Sequence, residues 1–147
     1  MAIIKRTRNT VKKEIISDIP ETVQERRLFL NKEMKPYIGK SVHCPVLGVD
    51  VEFTRASYHE TIRNAAISKN STIAALNVLR LIKNATFVEM DLPQSNKQKK
   101  TFQFIFVFIL NSHLLGYGDV KIIVGAQERG DFLHYSIPDV FLFCHCH

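Results

Sequence analysis

The sequence lacks any apolar run of the roughly 18–20 residues that a bilayer-spanning helix requires. The best candidate, FQFIFVFIL at residues 102–110, is far shorter and carries Gln103. No apolar core follows the charged start MAIIKRTRNTVKK, so no secretory signal is expected. Cysteine is scarce. Cys44, Cys144 and Cys146 are odd in number and lack framework spacing, which argues against a disulfide-stapled secreted domain. No Walker A, GxGxxG, HExxH or GxSxG pattern occurs, which removes the commonest motif-borne routes to nucleotide binding, zinc proteolysis and serine hydrolysis. There is no internal repeat, and no low-complexity segment beyond a lysine-bearing loop at residues 91–100. These absences predict a cytoplasmic protein with no membrane segment and no cofactor.

What is present suits one domain. The 147 residues are 46% hydrophobic and 23% charged, ordinary values for a globular chain with its own core. The net charge of +6 is uneven. Residues 1–40 hold 10 Lys+Arg against 5 Asp+Glu, a balance of +5, whereas residues 41–147 hold 10 against 9, a balance of +1. The organisation expected is a basic arm at 1–16, a single α+β domain at 17–139 and a Cys/His-containing tail at 140–147. Lys5, Arg6, Arg8, Lys12 and Lys13 suit non-specific contact with nucleic-acid phosphates, and equally a solvated tail. The near-neutral body limits any nucleic-acid contact there to a local patch. In the tail, Cys144-His145-Cys146-His147 are the right residue types for zinc, but four adjacent residues cannot easily wrap a tetrahedral ion. His43 and Cys44 help only if the tail folds back, and no native metal site is expected.

Periodicity and punctuation then place the elements. A first helix is predicted after a cap at Ser17 or Asp18, with Pro20 and Glu21 in its first turn. Val23, Leu30 and Met34 lie inside it, Arg26, Arg27 and Lys32 outside, and Pro36 and Gly39 stop it. A hairpin pairs 41–44 with 49–53 across a turn at 45–48. The stretch 49–64, VDVEFTRASYHETIRN, is the organising segment. Val49, Val51 and Phe53 alternate with Asp50 and Glu52 as in a half-buried strand. Ser57 and Glu60 then have capping-box spacing for a helix over 58–67. After a polar break at 68–71, Asn70 or Ser71 caps a second helix to about residue 84, with the stripe Ile73, Leu76, Leu79 and Ile82. Strands follow at 86–90, 101–110, 119–127 and 132–137, the last ended by Pro138. The strand at 101–110 is expected to be central, with Phe102, Phe104, Phe106 and Phe108 on one face and Ile105, Val107 and Ile109 on the other. The predicted fold class is α+β: N-terminal helices and a short hairpin, then a four-stranded antiparallel meander with helices packed on one face.

Strand alternation assigns the open face. With Val120, Ile122 and Val124 under the helices, and Leu133, Tyr135 and Ile137 likewise, Lys121, Gln127, His134 and Ser136 are left together on the uncovered side. A base for the 2′-OH proton, an acid for the leaving oxygen and a cation for the phosphorane are what metal-independent RNA cleavage needs. Solvent faces of sheets also carry such residues with no catalytic role. His59, expected in the first turn of its helix, sits where the dipole favours a neutral imidazole, which suits a general base or simply an exposed histidine. Arg55, just before that helix, can join its free amides in holding a phosphate, or be an ordinary surface arginine.

The order of strand, FTRASYHETIRNAA, polar break, LRLIKNATF and closing FLHYSIPD resembles uncharacterised domains of phage and mobile-element polyvalent proteins. These look like members of the barnase/EndoU/colicin-nuclease/RelE-like superfamily. The resemblance spans residues 40–139. It implies helices followed by a four-stranded antiparallel sheet, a metal-independent RNase-like activity often used in toxins, RNA as partner, and an immunity or phage protein as a second one. Only residue types carry over: a histidine such as His59 or His134, a cation such as Arg55 or Lys121, and hydroxyls such as Ser57 or Ser136. Tyr135 and Arg63 join them as substrate-binding positions. The alternative is a non-catalytic nucleic-acid- or protein-binding module on the same fold.

Overall fold

The first helix, α1 (Val23–Met34), begins at a T-x-x-E capping box. The Thr22 hydroxyl accepts the Glu25 amide at 3.1 Å, and the Glu25 carboxylate accepts the Thr22 amide at 3.3 Å. In the computed structural model, which describes residues 19–93, 99–114 and 118–142, the caps proposed from sequence, Ser17 and Asp18, lie outside the described residues. So do the basic arm 1–16 and the Cys144–His147 motif. Leu30 and Met34 are buried as expected, but Val23 is exposed and Arg26 is buried. Arg26 was placed outside because arginine is rarely interior. Its guanidinium is accommodated by backbone carbonyls: Nε donates to Ala66 at 2.8 Å, Nη2 to Ile67 at 3.1 Å, and Nη1 to Glu21 at 2.7 Å and Pro20 at 3.2 Å.

A 3-10 turn (Lys35–Tyr37) leads to the hairpin of β1 (Ser41–Cys44) and β2 (Val49–Glu52). Helix α2 (Arg55–Ala65) starts three residues earlier than the sequence suggested. Its cap is Thr54, whose hydroxyl accepts the Ser57 amide at 3.1 Å, while Ser57 Oγ accepts the Thr54 amide at 2.8 Å. Ser57 therefore plays the part expected of Glu60, and Glu60 is freed to turn inward. The second predicted helix is two. Ser68 caps α3 (Lys69–Leu76), and Asn77 breaks it from α4 (Val78–Lys83). The Asn77 carboxamide donates back to the Ile73 carbonyl at 2.8 Å, the local competition that makes asparagine a helix terminator.

The remaining strands are β3 (Phe87–Asp91), β4 (Phe104–Leu114), β5 (Gly118–Gln127) and β6 (Phe132–Leu142). The hairpin is not separate from them. All six form one sheet in the order β1-β2-β6-β5-β4-β3. Its neighbours are antiparallel except β2 and β6, which run parallel through Val51↔Phe132 and Glu52↔Leu133. The fold is thus α+β with a six-stranded mixed sheet. Leu30, Met34, Ile62, Ile73 and Ile82 from the helices share one core with Leu110, Leu114, Val120, Ile122 and Val124 from the sheet.

Two irregularities redirect side chains. A register shift between Phe104 and Phe106 splits the phenylalanine row. Phe102 and Phe104 join Val107, Leu133 and Tyr135 in a second cluster, Phe108 packs against the main core, and Phe106 stays 40% exposed. Phe104 lies so close over Gly125 that a Cβ there would meet the ring at 2.3 Å. In β6 the register slips between Lys121↔Asp139 and Ile123↔Ser136, and again before Val124↔His134. Pro138 falls at the first slip, where its missing N–H is tolerated, so the strand continues past it instead of ending there. No helix among the described residues is long and apolar enough to cross a membrane.

Candidate phosphate-binding groove

Helix α2 carries Arg55, His59 and Arg63, all exposed. A spacing of four residues repeats one helical face about every 6 Å, so the three form a ladder of nitrogen donors along the outside of the helix. The helix is held beside α1 by Tyr58, whose hydroxyl donates to the Asn31 carbonyl at 2.8 Å and approaches Asn31 Oδ1 at 3.0 Å. Between the two helices lies a cleft of about 400 Å³ lined by Arg27, Asn31, His59, Ile62 and Arg63. The His59 ring stands edge-on to Tyr58, with centroids 5.1 Å apart. Arg63 approaches Glu60 at 3.7 Å. Glu60, nearly buried, accepts from the Tyr135 hydroxyl at 3.4 Å. Two guanidinium groups, an imidazole and a carboxamide around one cleft are donors suited to an anion, above all a phosphate.

Three of the residues singled out in the sequence, Arg55, His59 and Arg63, therefore share one helix face. The others lie elsewhere. His134 is fully buried in the main core, stacked on Phe53 at 5.3 Å with the planes 21° apart. It is on the helix-covered side of the sheet and not on the open face, because it lies opposite Val124, while Leu133 and Tyr135, expected on that side, fill the second cluster on the other face. Burial pushes its pKa down to about 3, and the neighbouring Ser136 backbone opposes this only in part. That backbone acts on the ring without a formed hydrogen bond, for neither ring nitrogen has a partner. Ser57 is buried as part of the α2 cap. Tyr135 is buried in the second cluster. Ser136 is also buried, in register with Ile123. Lys121, half-buried on β5 and in register with Asn111 and Asp139, does not line the groove. His59 and His134 thus do not converge, and the expected constellation of His59, His134, Lys121 and Arg55 is not assembled.

Sequence reasoning passed over Arg27 and Asn31. Their i, i+4 spacing on a polar helix face was visible, but nothing local showed that this face lies beside α2. Among the described residues, no group of three or more His, Cys, Asp or Glu side chains is placed to hold a metal ion. No family model, curated protein or solved structure matches the chain.

Proposed function

We propose that the domain is a binding module for the phosphodiester backbone of RNA, held along the exposed face of α2 and in the groove beside α1. The observation that carries this reading is the ladder Arg55–His59–Arg63 with Arg27 and Asn31 across the cleft. The rungs repeat at about the spacing a helix gives every fourth residue, a reach suited to successive phosphates of an extended strand. Backbone contact of this kind is sequence-independent and salt-sensitive. A near-neutral body with one local cationic ladder fits it better than it fits a broad duplex-binding surface.

A second reading is a toxin-type, metal-independent endoribonuclease of a phage or mobile element. His59 favours it: an exposed imidazole beside two guanidinium groups can take a 2′-OH proton while the cations stabilise the phosphorane. Against it stands His134, the second histidine expected to transfer a proton, which is shut in the core.

One set of measurements tests both. Binding of a labelled mixed-sequence RNA is followed across a salt series for the wild type, Arg27→Ala and Arg63→Ala, and cleavage is assayed with EDTA present. Each substitution is expected to weaken binding and to reduce the slope of log affinity on log salt by about 1. Wild-type affinity in both variants would remove the groove from RNA binding. Cleavage that is lost by about 10²-fold or more in His59→Ala would replace the binding module with the ribonuclease.

A further inference from the structure

Among the described residues the sheet ends on β3, the outermost strand beyond β4. An outermost strand leaves the N–H and C=O of every second residue unpaired on its outer side, and proteins usually blunt such an edge with lysine, proline or a bulge. None of these interrupts β3. Its sequence is FVEMD, and it pairs with β4 through five successive residues without a shift. The opposite edge is different. Strand β1 is four residues long, turns Ser41 and His43 to solvent and has α4 packed against it. The faces of β3 matter as much as its edge. Met90 lies opposite Phe108, and Phe108 opposite Val124, so Met90 is on the side of the sheet that holds the main core. The helices stop short of it. Along β4 on that side Leu110 is fully buried, Phe108 half-buried and Phe106 exposed. Met90 is 59% exposed, and Leu92, just past the strand, 62%. An apolar strip thus continues the core out to the edge. The alternate positions of β3, Glu89 and Asp91, are exposed carboxylates on the other face.

We infer that β3 docks an extended segment of another protein, one that alternates apolar residues with lysine or arginine and adds to the six-stranded sheet as a further strand. Main-chain hydrogen bonds to the outer edge of β3 hold it. Directly opposed residues of paired strands share a face. The apolar residues of the segment therefore fall beside Met90 and cover the strip, while its cations fall beside Glu89 and Asp91. Charge decides the occupant. A second copy of this chain is the obvious rival. Pairing β3 with itself antiparallel about Glu89 sets Glu89 against its own copy, and pairing about Met90 sets Glu89 against Asp91 twice. Like charges directly opposite destabilise a strand pair. The chain carries +6 overall, so this acidic edge is a local exception that selects a basic strand. The inference does not rest on the RNA-binding reading, because β3 contributes no residue to the α1–α2 groove.

The test titrates the full chain with three short blocked peptides: alternating lysine and valine, alternating glutamate and valine, and the lysine–valine peptide N-methylated throughout. Calorimetry reads affinity and hydrogen exchange reads the site. The lysine–valine peptide is expected to bind and to add protection within residues 87–91. Its N-methylated form keeps the charge but has no N–H to donate, and should bind about tenfold more weakly or not at all. Glu89→Lys, a change at an exposed position, should weaken the lysine peptide by about tenfold and strengthen the glutamate one. Arg27→Ala and Arg63→Ala should leave peptide binding unchanged, which keeps the fate of the groove separate from that of the edge. Equal binding of the N-methylated peptide means charge attraction alone and overturns strand addition. Unchanged affinity in Glu89→Lys removes the charge selection and with it this class of partner. Absence of binding by the lysine peptide, or protection elsewhere in its place, overturns the site. Dimerisation of the chain by itself, with protection at 87–91 and no peptide present, makes a second copy the occupant and overturns the proposal.

Discussion

Acidification should destabilise this protein through His134 in particular. The imidazole is fully buried, lies flat against Phe53 and has no hydrogen-bond partner on either nitrogen. In the unfolded chain it titrates at the ordinary value of 6.5, whereas in the fold burial holds it near 3. Below pH 6.5 the unfolded state therefore binds a proton that the native state refuses. Stability falls as pH drops through that window, and the loss levels off only near the folded value. Between pH 7 and pH 5 this one group costs about 2 kcal/mol. The figure barely depends on where near 3 the folded value lies, because at pH 5 the native imidazole is neutral in any case. For a urea slope of about 1–3 kcal/mol/M the midpoint moves by about 1 M. The assay is urea unfolding at the two pH values for the wild type and His134→Phe. The variant is expected to lose about 2 kcal/mol less on acidification. At pH 7 it should be no less stable, since it also removes two unsatisfied buried nitrogens. An equal drop in both proteins would refute a neutral, desolvated His134.

Two further substitutions probe the packing. Gly125→Ala places a methyl against the Phe104 ring, so it should cost about 1–3 kcal/mol in chemical denaturation. Adding Phe104→Ala should make the penalty at Gly125 disappear, and a penalty that persists would mean the backbone and not the ring is the obstacle. Arg26→Ala leaves the Ala66 and Ile67 carbonyls at the end of α2 without their buried donor. It should cost about 3 kcal/mol, with hydrogen exchange accelerating first at the α2–α3 junction. Unchanged protection there would show that water replaces the guanidinium at no cost.

These expectations mark where local rules carried the reading and where they failed. Helix α2 was legible, apart from its first turn, because its apolar positions and its exposed His59 and Arg63 follow from spacing within a few turns. The alternation in β5 was equally legible: Val120, Ile122 and Val124 are buried on one side, as an uninterrupted ladder dictates. The strand beside it was not. His134 lies opposite Val124 and so faces the main core, while Leu133 and Tyr135 fill a second apolar cluster on the other face. With apolar partners on both faces of β6, local alternation does not say which side the helices cover, and that is why His134 was placed in solvent. Arg26 was misplaced for a related reason. Two of its four acceptors, the Pro20 and Glu21 carbonyls, are local, but the other two, from Ala66 and Ile67, reach it only in the folded chain, so no window of sequence shows that a buried guanidinium is provided for. The cap at Thr54 was missed by one turn because Ser57 can serve either as a cap or as the third residue of a box.

The short parallel seam between β2 and β6 has a consequence for how the chain acquires its structure. Strands β3 to β6 can pair with sequence neighbours through turns, but Val51 and Phe132 must meet across most of the domain. Closing so long a loop costs entropy before any contact rewards it, and domains rich in such pairings fold slowly. The seam is also small, two residue pairs in register. The hairpin should therefore dock late, after the antiparallel strands have formed a template. Mutations in Val51 would then speed unfolding more than they slow folding, as expected of a side chain whose contacts are absent from the transition state. During synthesis the same geometry keeps α2 waiting. Its face carrying Arg55, His59 and Arg63 can form as soon as the helix does, but β6, the strand it rests on, is made last among these elements.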